Sequence, residues 1–352
     1  MARLLAFLAG LAGVPGPAAA LQLPALVRES RAPVLPDGSP ANTIVWAGDS
    51  LLGLADQGEQ QIVLFDIHTG RHRRAGRPGE GPAEYRGVTP PLPGPDRSWV
   101  VVDVRLRRAT VLDPSLGFRR AVAIPVVLNT VLEWRSGGLF STWYDVARRM
   151  TPVLGTLRFS DADRAEPVPL VRLDSLFGSP ARPPFSLPPI VAAAPGAGGH
   201  VYVGKVDEYR ILKLDERGRP VRVYHRPELP VLRFSSSEIA EQTGRLGGAG
   251  PAAVSGPALA RVREMLSGMA KPFFALTGLS EDSSGRLWVV TARSDQVATE
   301  IDVFSPEGRF LGTVKLSGQV RALAWRGNRV AALVERAEGE ELLGAVDFYR
   351  IR

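Results

Sequence analysis

One unit recurs six times along the chain, and a repeat of this kind constrains the fold more than any other feature of the sequence. The unit is a small or polar turn, a short apolar strand, a gap, and a second strand ending in an aromatic residue or Leu. Asp or Ser and a Gly-containing turn often follow. The clearest copy reads Asp282-Ser283-Ser284-Gly285-Arg286-Leu287-Trp288-Val289-Val290, then Ile301-Asp302-Val303-Phe304-Ser305-Pro306-Glu307-Gly308. Related copies pair residues 49–52 with 62–66, 96–100 with 110–113, and 199–203 with 211–215, and weaker ones begin at Gly137 and Gly327. Anchoring the copies at Leu51, Ser98, Leu139, Val201, Leu287 and Val330 gives intervals of 47, 41, 62, 86 and 43 residues.

Three of these intervals match the ~40–50 residues of a propeller blade. A lone four-stranded sheet cannot bury both faces, whereas sheets stacked radially cover one another. The expectation is an all-β fold, a six-bladed β-propeller with a short helical insertion. The long intervals have visible causes. Residues 179–195 are Pro-rich and read as a surface loop, because proline lacks the N–H a central strand needs. Residues 235–272 read as the helical insertion: Ser235 and Glu238 have capping-box spacing, and Leu259, Val262, Leu266 and Met269 share one face after Pro257. Gly 37 and Pro 30 out of 352 residues become the punctuation of repeated hairpins. The last copy lacks one strand, and residues 21–28 are expected to supply it as an outer edge, closing the ring.

Arg3, the apolar run Leu4–Val14, Pro15-Gly16-Pro17 and Ala18-Ala19-Ala20 have the order of a secretory signal peptide spanning residues 1–20, which leaves 21–352 as the propeller. Export to the periplasm or exterior is expected, with no membrane span, since the apolar run is too short to cross ~30 Å of hydrocarbon. Cys 0 excludes disulfides, thiolate metal sites, a thiol nucleophile and a lipoprotein anchor.

The formal net charge is +7, yet four lysines among 43 basic residues make this an arginine bias. Residues 21–150 carry 16 basic and 13 acidic side chains and residues 151–352 carry 26 and 23. Each part is +3, so no dense patch along the chain points to nucleic acid, which is not expected as a partner. The cluster Arg71, Arg73, Arg74 and Arg77 retains some capacity for an anionic partner.

The most specific local feature is Gly76-Arg77-Pro78-Gly79-Glu80-Gly81-Pro82-Ala83-Glu84-Tyr85. It has no Lys-Ser/Thr of a P-loop and no Rossmann spacing. A rigid connection between blades is one reading, with Gly supplying unusual φ and Pro limiting chain entropy. A ligand rim is the other. There Arg77 would fork a carboxylate, Glu80 and Glu84 would accept hydroxyls, and Tyr85 would offer a stacking face. The segment resembles the Gly-x-x-Gly-x-Gly-Pro-x-Glu-aromatic loop of exported bacterial six-bladed β-propellers related to NHL-repeat and TolB-like proteins. That resemblance spans the mature chain through the repeats and implies fold and compartment, with a role in binding or interaction; fold alone does not fix function.

No catalytic constellation emerges. His68 and His72 flank the turn residues Thr69-Gly70 and so lack the one-face spacing of a helical metal pair. No Gly-x-Ser-x-Gly elbow is present. Asp66, Asp113, Asp215 and Asp302 recur at strand ends and read as caps on turn amides, and Trp99, Trp288 and Tyr202 read as matching packing positions between blades. The expected function is a non-catalytic, monomeric binding module for a protein, small-molecule or carbohydrate ligand, without cofactor or metal. The alternative is a metal-dependent hydrolase or lyase of gluconolactonase-like or amidating-lyase type at the central channel, which needs converging carboxylate, amide or imidazole ligands.

Overall fold

The computed structural model describes residues 23–31, 43–135, 137–148, 150–160, 163–177, 191–246, 256–292, 298–338 and 341–352. Among them are six four-stranded antiparallel sheets arranged as a six-bladed β-propeller. From the axis outward, blade 1 is β2 (Val45–Trp46), β3 (Leu51–Asp56), β4 (Gln61–Asp66) and β5 (His72–Ala75). Blade 2 is β6 (Leu92–Pro93), β7 (Trp99–Asp103), β8 (Arg108–Leu112) and β9 (Phe118–Ala123). Blade 3 is β10 (Val127–Arg135), β11 (Gly138–Asp145), β12 (Thr151–Arg158) and β13 (Glu166–Arg172). Blade 4 is β14 (Val191–Pro195), β15 (Val201–Lys205), β16 (Arg210–Leu214) and β17 (Pro220–His225). Blade 5 is β18 (Phe274–Glu281), β19 (Leu287–Thr291), β20 (Ala298–Phe304) and β21 (Phe310–Ser317). Blade 6 is β22 (Gln319–Arg326), β23 (Arg329–Glu338), β24 (Glu341–Ile351) and, outermost, β1 (Leu26–Arg31).

The second strand of each blade is apolar on both faces because both are covered. In β7 every side chain is buried. Val100 and Val102 pack toward Leu139, Trp143 and Val153 of blade 3, while Trp99 and Val101 pack toward Ala55, Ile62 and Leu64 of blade 1. The same two-sided alternation gives one apolar cluster at each of the other four blade junctions. Trp99 is therefore not equivalent to Trp288 and Tyr202. It pairs with Leu112, whereas Trp288 and Tyr202 pair one register later, with Val303 and Lys213. A one-residue step reverses the face, so Trp99 looks at the preceding blade and the other two at the following one.

Most of the strand-end carboxylates cap turns. Asp66 accepts the amides of His68 and Thr69, Asp113 those of Ser115 and Gly117, and Asp215 those of Arg217 and Arg219. Asp302 departs from the expectation. It lies within β20, and the turn position falls to Ser305, whose hydroxyl accepts the Arg309 amide. Asp302 is instead buried at the junction of blades 4 and 5, where it accepts from Tyr209 Oη at 2.7 Å, Arg226 Nη1 at 3.0 Å and Thr313 Oγ1 at 2.6 Å.

Ring closure is by the N-terminal strand. β1 pairs antiparallel with β24, Leu26 opposite Ile351 and Arg28 opposite Tyr349, and Arg28 bonds the buried Asp347 at 2.8 Å. Two helices, α2 (Ser236–Leu246) and α3 (Gly256–Gly268), connect blades 4 and 5, and a single turn, α1 (Asp174–Phe177), follows β13. The capping box forms as its spacing predicts: Glu238 Oε2 accepts the Ser235 amide at 2.8 Å and Ser235 Oγ accepts the Glu238 amide at 3.3 Å. The end of the expected Pro-rich loop is corrected, since Val191–Pro195 is the innermost strand of blade 4; residues 178–190 and residues 1–20, expected as a signal peptide, lie outside the described residues. Pro195 is compatible with that strand because it is the last residue and leaves no interior ladder bond unmade.

Candidate functional site

In a four-stranded meander, the first-to-second and third-to-fourth turns lie at one end, and the second-to-third turns and inter-blade connections at the other. The two faces of this ring differ accordingly. On one, here the turn face, neighbouring strands are joined by tight turns such as 94–98, 215–219 and 282–286. On the other, the loop face, run the connections 76–91 and 226–273 and the start of the connection after β13. Every long connection among the described residues thus surrounds one mouth of the axis.

Exposed apolar side chains occur on both faces, with Val221, Phe118 and Phe310 near the turn-face ends of outer strands. Val104, Val146, Val231, Leu232 and Leu276 are exposed at the loop face, Val146 by 62% and Val231 by 59%. Near the axis, Thr277 Oγ1 donates to Arg321 O at 3.0 Å, and the Arg321 guanidinium meets Glu335 and Gln319 Oε1. Across the ring, Asn129 Nδ2 donates to Thr142 Oγ1 at 3.1 Å and Val191 O at 2.9 Å.

Residues 76–85 form a self-braced loop on this face. Gly76 and Gly79 have φ of +105° and +151°, where an L side chain is strained. The Tyr85 ring closes on Gly76 so tightly that a Cβ there would lie 2.6 Å from the ring. Tyr85 N donates to Arg77 O at 2.8 Å and Gly79 N to Tyr85 O at 3.1 Å. Glu84 spans the loop: Oε2 accepts the Gly81 amide at 2.7 Å, and Oε1 accepts Arg77 Nε at 2.8 Å. The Gly81 amide and then the Arg77 guanidinium hold the Glu84 carboxyl below the usual range.

The four candidate residues separate into two pairs. Arg77 and Glu80 keep solvent-facing charged groups, with side chains 75% and 62% exposed, although each has a partner, Glu84 for Arg77 and Arg86 for Glu80. Glu84 is turned inward. Tyr85 is fully buried, so the stacking face expected of it is not available; burial pushes its hydroxyl up to about 12. That hydroxyl has Thr110 beside it, and neither oxygen has a hydrogen-bond partner among the described residues. Sequence reasoning missed Arg108. From the start of β8 it donates to Glu80 O at 2.6 Å and Gly81 O at 2.7 Å and also meets Glu84 O, pinning the loop to blade 2. Only a strand-initial arginine marks it in the sequence, and several strands begin that way.

His68 and His200 lie in connections, whereas His72 and His225 lie at the ends of β5 and β17. His68 is exposed and its backbone amide is spent on Asp66. Among the described residues no group of three or more His, Asp or Glu could hold a metal ion, and no helix is long and apolar enough to cross a membrane.

No family model and no curated protein matches the chain. Solved structures do. The chain is similar to a member of the DUF4221 family from Bacteroides vulgatus, with 11% identity, a TM-score of 0.57, and 94% of this chain and 98% of that one covered. It is similar to the "Putative exported protein" from Bacteroides fragilis, with 10% identity, a TM-score of 0.53, and coverage of 94% and 95%. A luciferin-regenerating enzyme matches at 13% identity with a TM-score of 0.51 and coverage of 94% and 97%. At such identities the likeness is one of fold.

Proposed function

We propose that this six-bladed propeller is an exported, non-catalytic binding module whose ligand, a protein or a small molecule such as a carbohydrate, docks on the loop face. The observation that carries the reading is the asymmetry of the ring: the long connections lie on one face, where Val104, Val146, Val231, Leu232 and Leu276 are among the exposed apolar side chains. A surface of that kind can meet a ligand with several blades at once. Arg77 and Glu80 are the members of the Gly76–Tyr85 loop proposed to touch ligand, with Glu84, Tyr85 and Arg108 supporting them from inside. Export rests on the order of residues in 1–20 and predicts a mature chain beginning near Leu21, which the intact mass of the processed protein reads directly.

The test is capture of ligands from a cell-envelope extract, together with a glycan array, by the unaltered chain and by two sets of variants. Val146→Asp with Leu276→Asp, and Arg77→Ala with Glu80→Ala, should each remove the captured ligand. Arg217→Glu on the turn face should leave it bound. Loss with the turn-face variant alone would sink the assignment of the loop face. The metal-dependent hydrolase or lyase reading lacks a ligand cluster among the described residues; a stoichiometric divalent cation retained by purified protein would replace the present reading with that one.

A further inference from the structure

The excess positive charge, level along the sequence, is concentrated radially. The six outer strands β1, β5, β9, β13, β17 and β21 together carry nine Arg and Lys against two Glu, a surplus as large as the +7 of the entire chain. Cations on outer strands have an ordinary role, which is to discourage edge-to-edge pairing with another sheet. One per blade suffices for that, and β13, β17 and β21 carry one each: Arg172, Arg222 and Lys315.

Blades 1, 2 and 6 exceed this with two each, but in blade 6 Arg28 is paired with Asp347 at 2.8 Å and Glu29 lies between the two arginines of β1, which leaves blades 1 and 2. Arg73 and Arg74 lie in β5 with Arg71 just before them, and Arg119 and Arg120 lie in β9. Arg71, His72, Arg73, Phe118 and Arg119 are all exposed, Phe118 by 44%. The two walls are continuous, since Arg73 Nη1 donates to Pro114 O of blade 2 at 2.9 Å, and Arg120 Nη1 extends the band to Ser160 O of blade 3 at 3.0 Å. Arg74 is paired with Asp56 at 3.8 Å; Asp66 and Asp113, in the adjoining turns, are turned onto the amides of their own turns. Asp113 also faces Arg119, and the Ser115 hydroxyl and Gly117 amide hold its carboxyl below the ordinary range.

We propose that the outer wall of blades 1 and 2 docks side-on onto an anionic phospholipid bilayer. Arg71, Arg73 and Arg119 meet the headgroup phosphates, and Phe118 enters the interface. Guanidinium groups fork phosphate oxygens, and an aromatic side chain among cations adds an apolar contribution that a soluble polyanion would not use. A convex wall formed by two neighbouring blades suits a plane. Docking of this kind leaves the loop face open along the membrane and is independent of the binding role assigned to that face.

The full chain is sedimented with vesicles of phosphatidylcholine alone or with about 30 mol% phosphatidylglycerol, at about 0.1 M NaCl, where screening acts over ~10 Å. Binding should require phosphatidylglycerol and weaken as salt rises. Arg71→Ala, Arg73→Ala and Arg119→Ala combined should lower the partition coefficient about 100-fold. Phe118→Ala should lower it severalfold without changing the salt dependence. A control with the same charge loss elsewhere, Arg217→Ala, Arg222→Ala and Arg309→Ala, should bind nearly as the unaltered chain does. Far-UV circular dichroism verifies that both triple variants fold. No binding to the anionic vesicles, an equal loss in the control, or binding to heparin or polyphosphate without binding to vesicles would each overturn the proposal.

Discussion

Tyr85 shows how one residue can look like a ligand contact and serve as a strut. Its aromatic ring, after Gly and Pro, invites a stacking role, yet in the fold it fills the space that Gly76 leaves by having no side chain. Its hydroxyl is buried without a hydrogen-bond partner among the described residues, an arrangement that costs stability because water is lost and little is gained. Tyr85→Phe is therefore expected to be neutral or to stabilise by up to about 1 kcal/mol in urea unfolding. Burial pushes the phenol's pKa up to about 12, against about 10 for a solvated tyrosine. A raised folded value means that this stabilisation is full below the unfolded pKa and is lost as pH climbs through the folded one. Stability should fall between about pH 10 and 12 by about 2–3 kcal/mol, and Tyr85→Phe should remove that part of the alkaline loss.

At the scale of elements, blades are joined by apolar clusters and by a few buried polar rivets. Asp302 is the clearest rivet, because β20 of blade 5 reaches Tyr209 and Arg226 of blade 4 through it. With side-chain exposures of 2% for Asp302 and 16% for Arg226, removing one partner leaves the other desolvated and uncompensated. Asp302→Ala should cost about 3–5 kcal/mol by chemical denaturation, whereas breaking the solvent-screened pair Arg219–Asp215 should cost far less. The helices contrast with this. α2 and α3 pack on each other, and their neck is drawn together by Lys271 N bonding Leu232 O at 2.8 Å and by a bridge from Arg233 to Ala270. The capping carboxylate Glu238, engaged first by Lys271 and then by Ser235, is held down to about 2. Replacing residues 233–270 with a short Gly-Ser link should leave the propeller's melting temperature within about 4 °C of the full chain by calorimetry, since the linked ends are already neighbours.

For the whole molecule, closure is the decisive interaction. Blade 6 takes three strands from the C-terminal end and its fourth, β1, from the N-terminal region, so the two regions hold each other in register from Leu26–Ile351 to Arg31–Asp347. Without disulfides, with Cys 0 in the sequence, this pairing and the six inter-blade clusters are what keep the ring from opening. Deleting residues up to Arg31 should expose the β24 edge, leave Asp347 without Arg28, and lower the melting temperature by about 10 °C or more with a broader calorimetric transition. A ring that melted as sharply and as high without β1 would show that the clusters alone enforce closure.

The number of blades, the identity of most strands, the closing role of the N-terminal region and the capping box at Ser235 and Glu238 were legible in the sequence. Each rests on chemistry local to a few residues: alternation, a turn amide reaching an Asp two positions back, a proline barred from a ladder. The register of Trp99, the burial of Asp302 and Tyr85, and the clamp from Arg108 were not legible, because each depends on which blade faces which across long stretches of chain, as with Arg108 meeting Glu84 24 residues away and Asp302 meeting Tyr209 93 residues away. Charge makes the same point at the largest scale. Counted along the chain it is uniform, and only folding, by sending the fourth strand of every blade outward, gathers the surplus onto the outer strands of the ring.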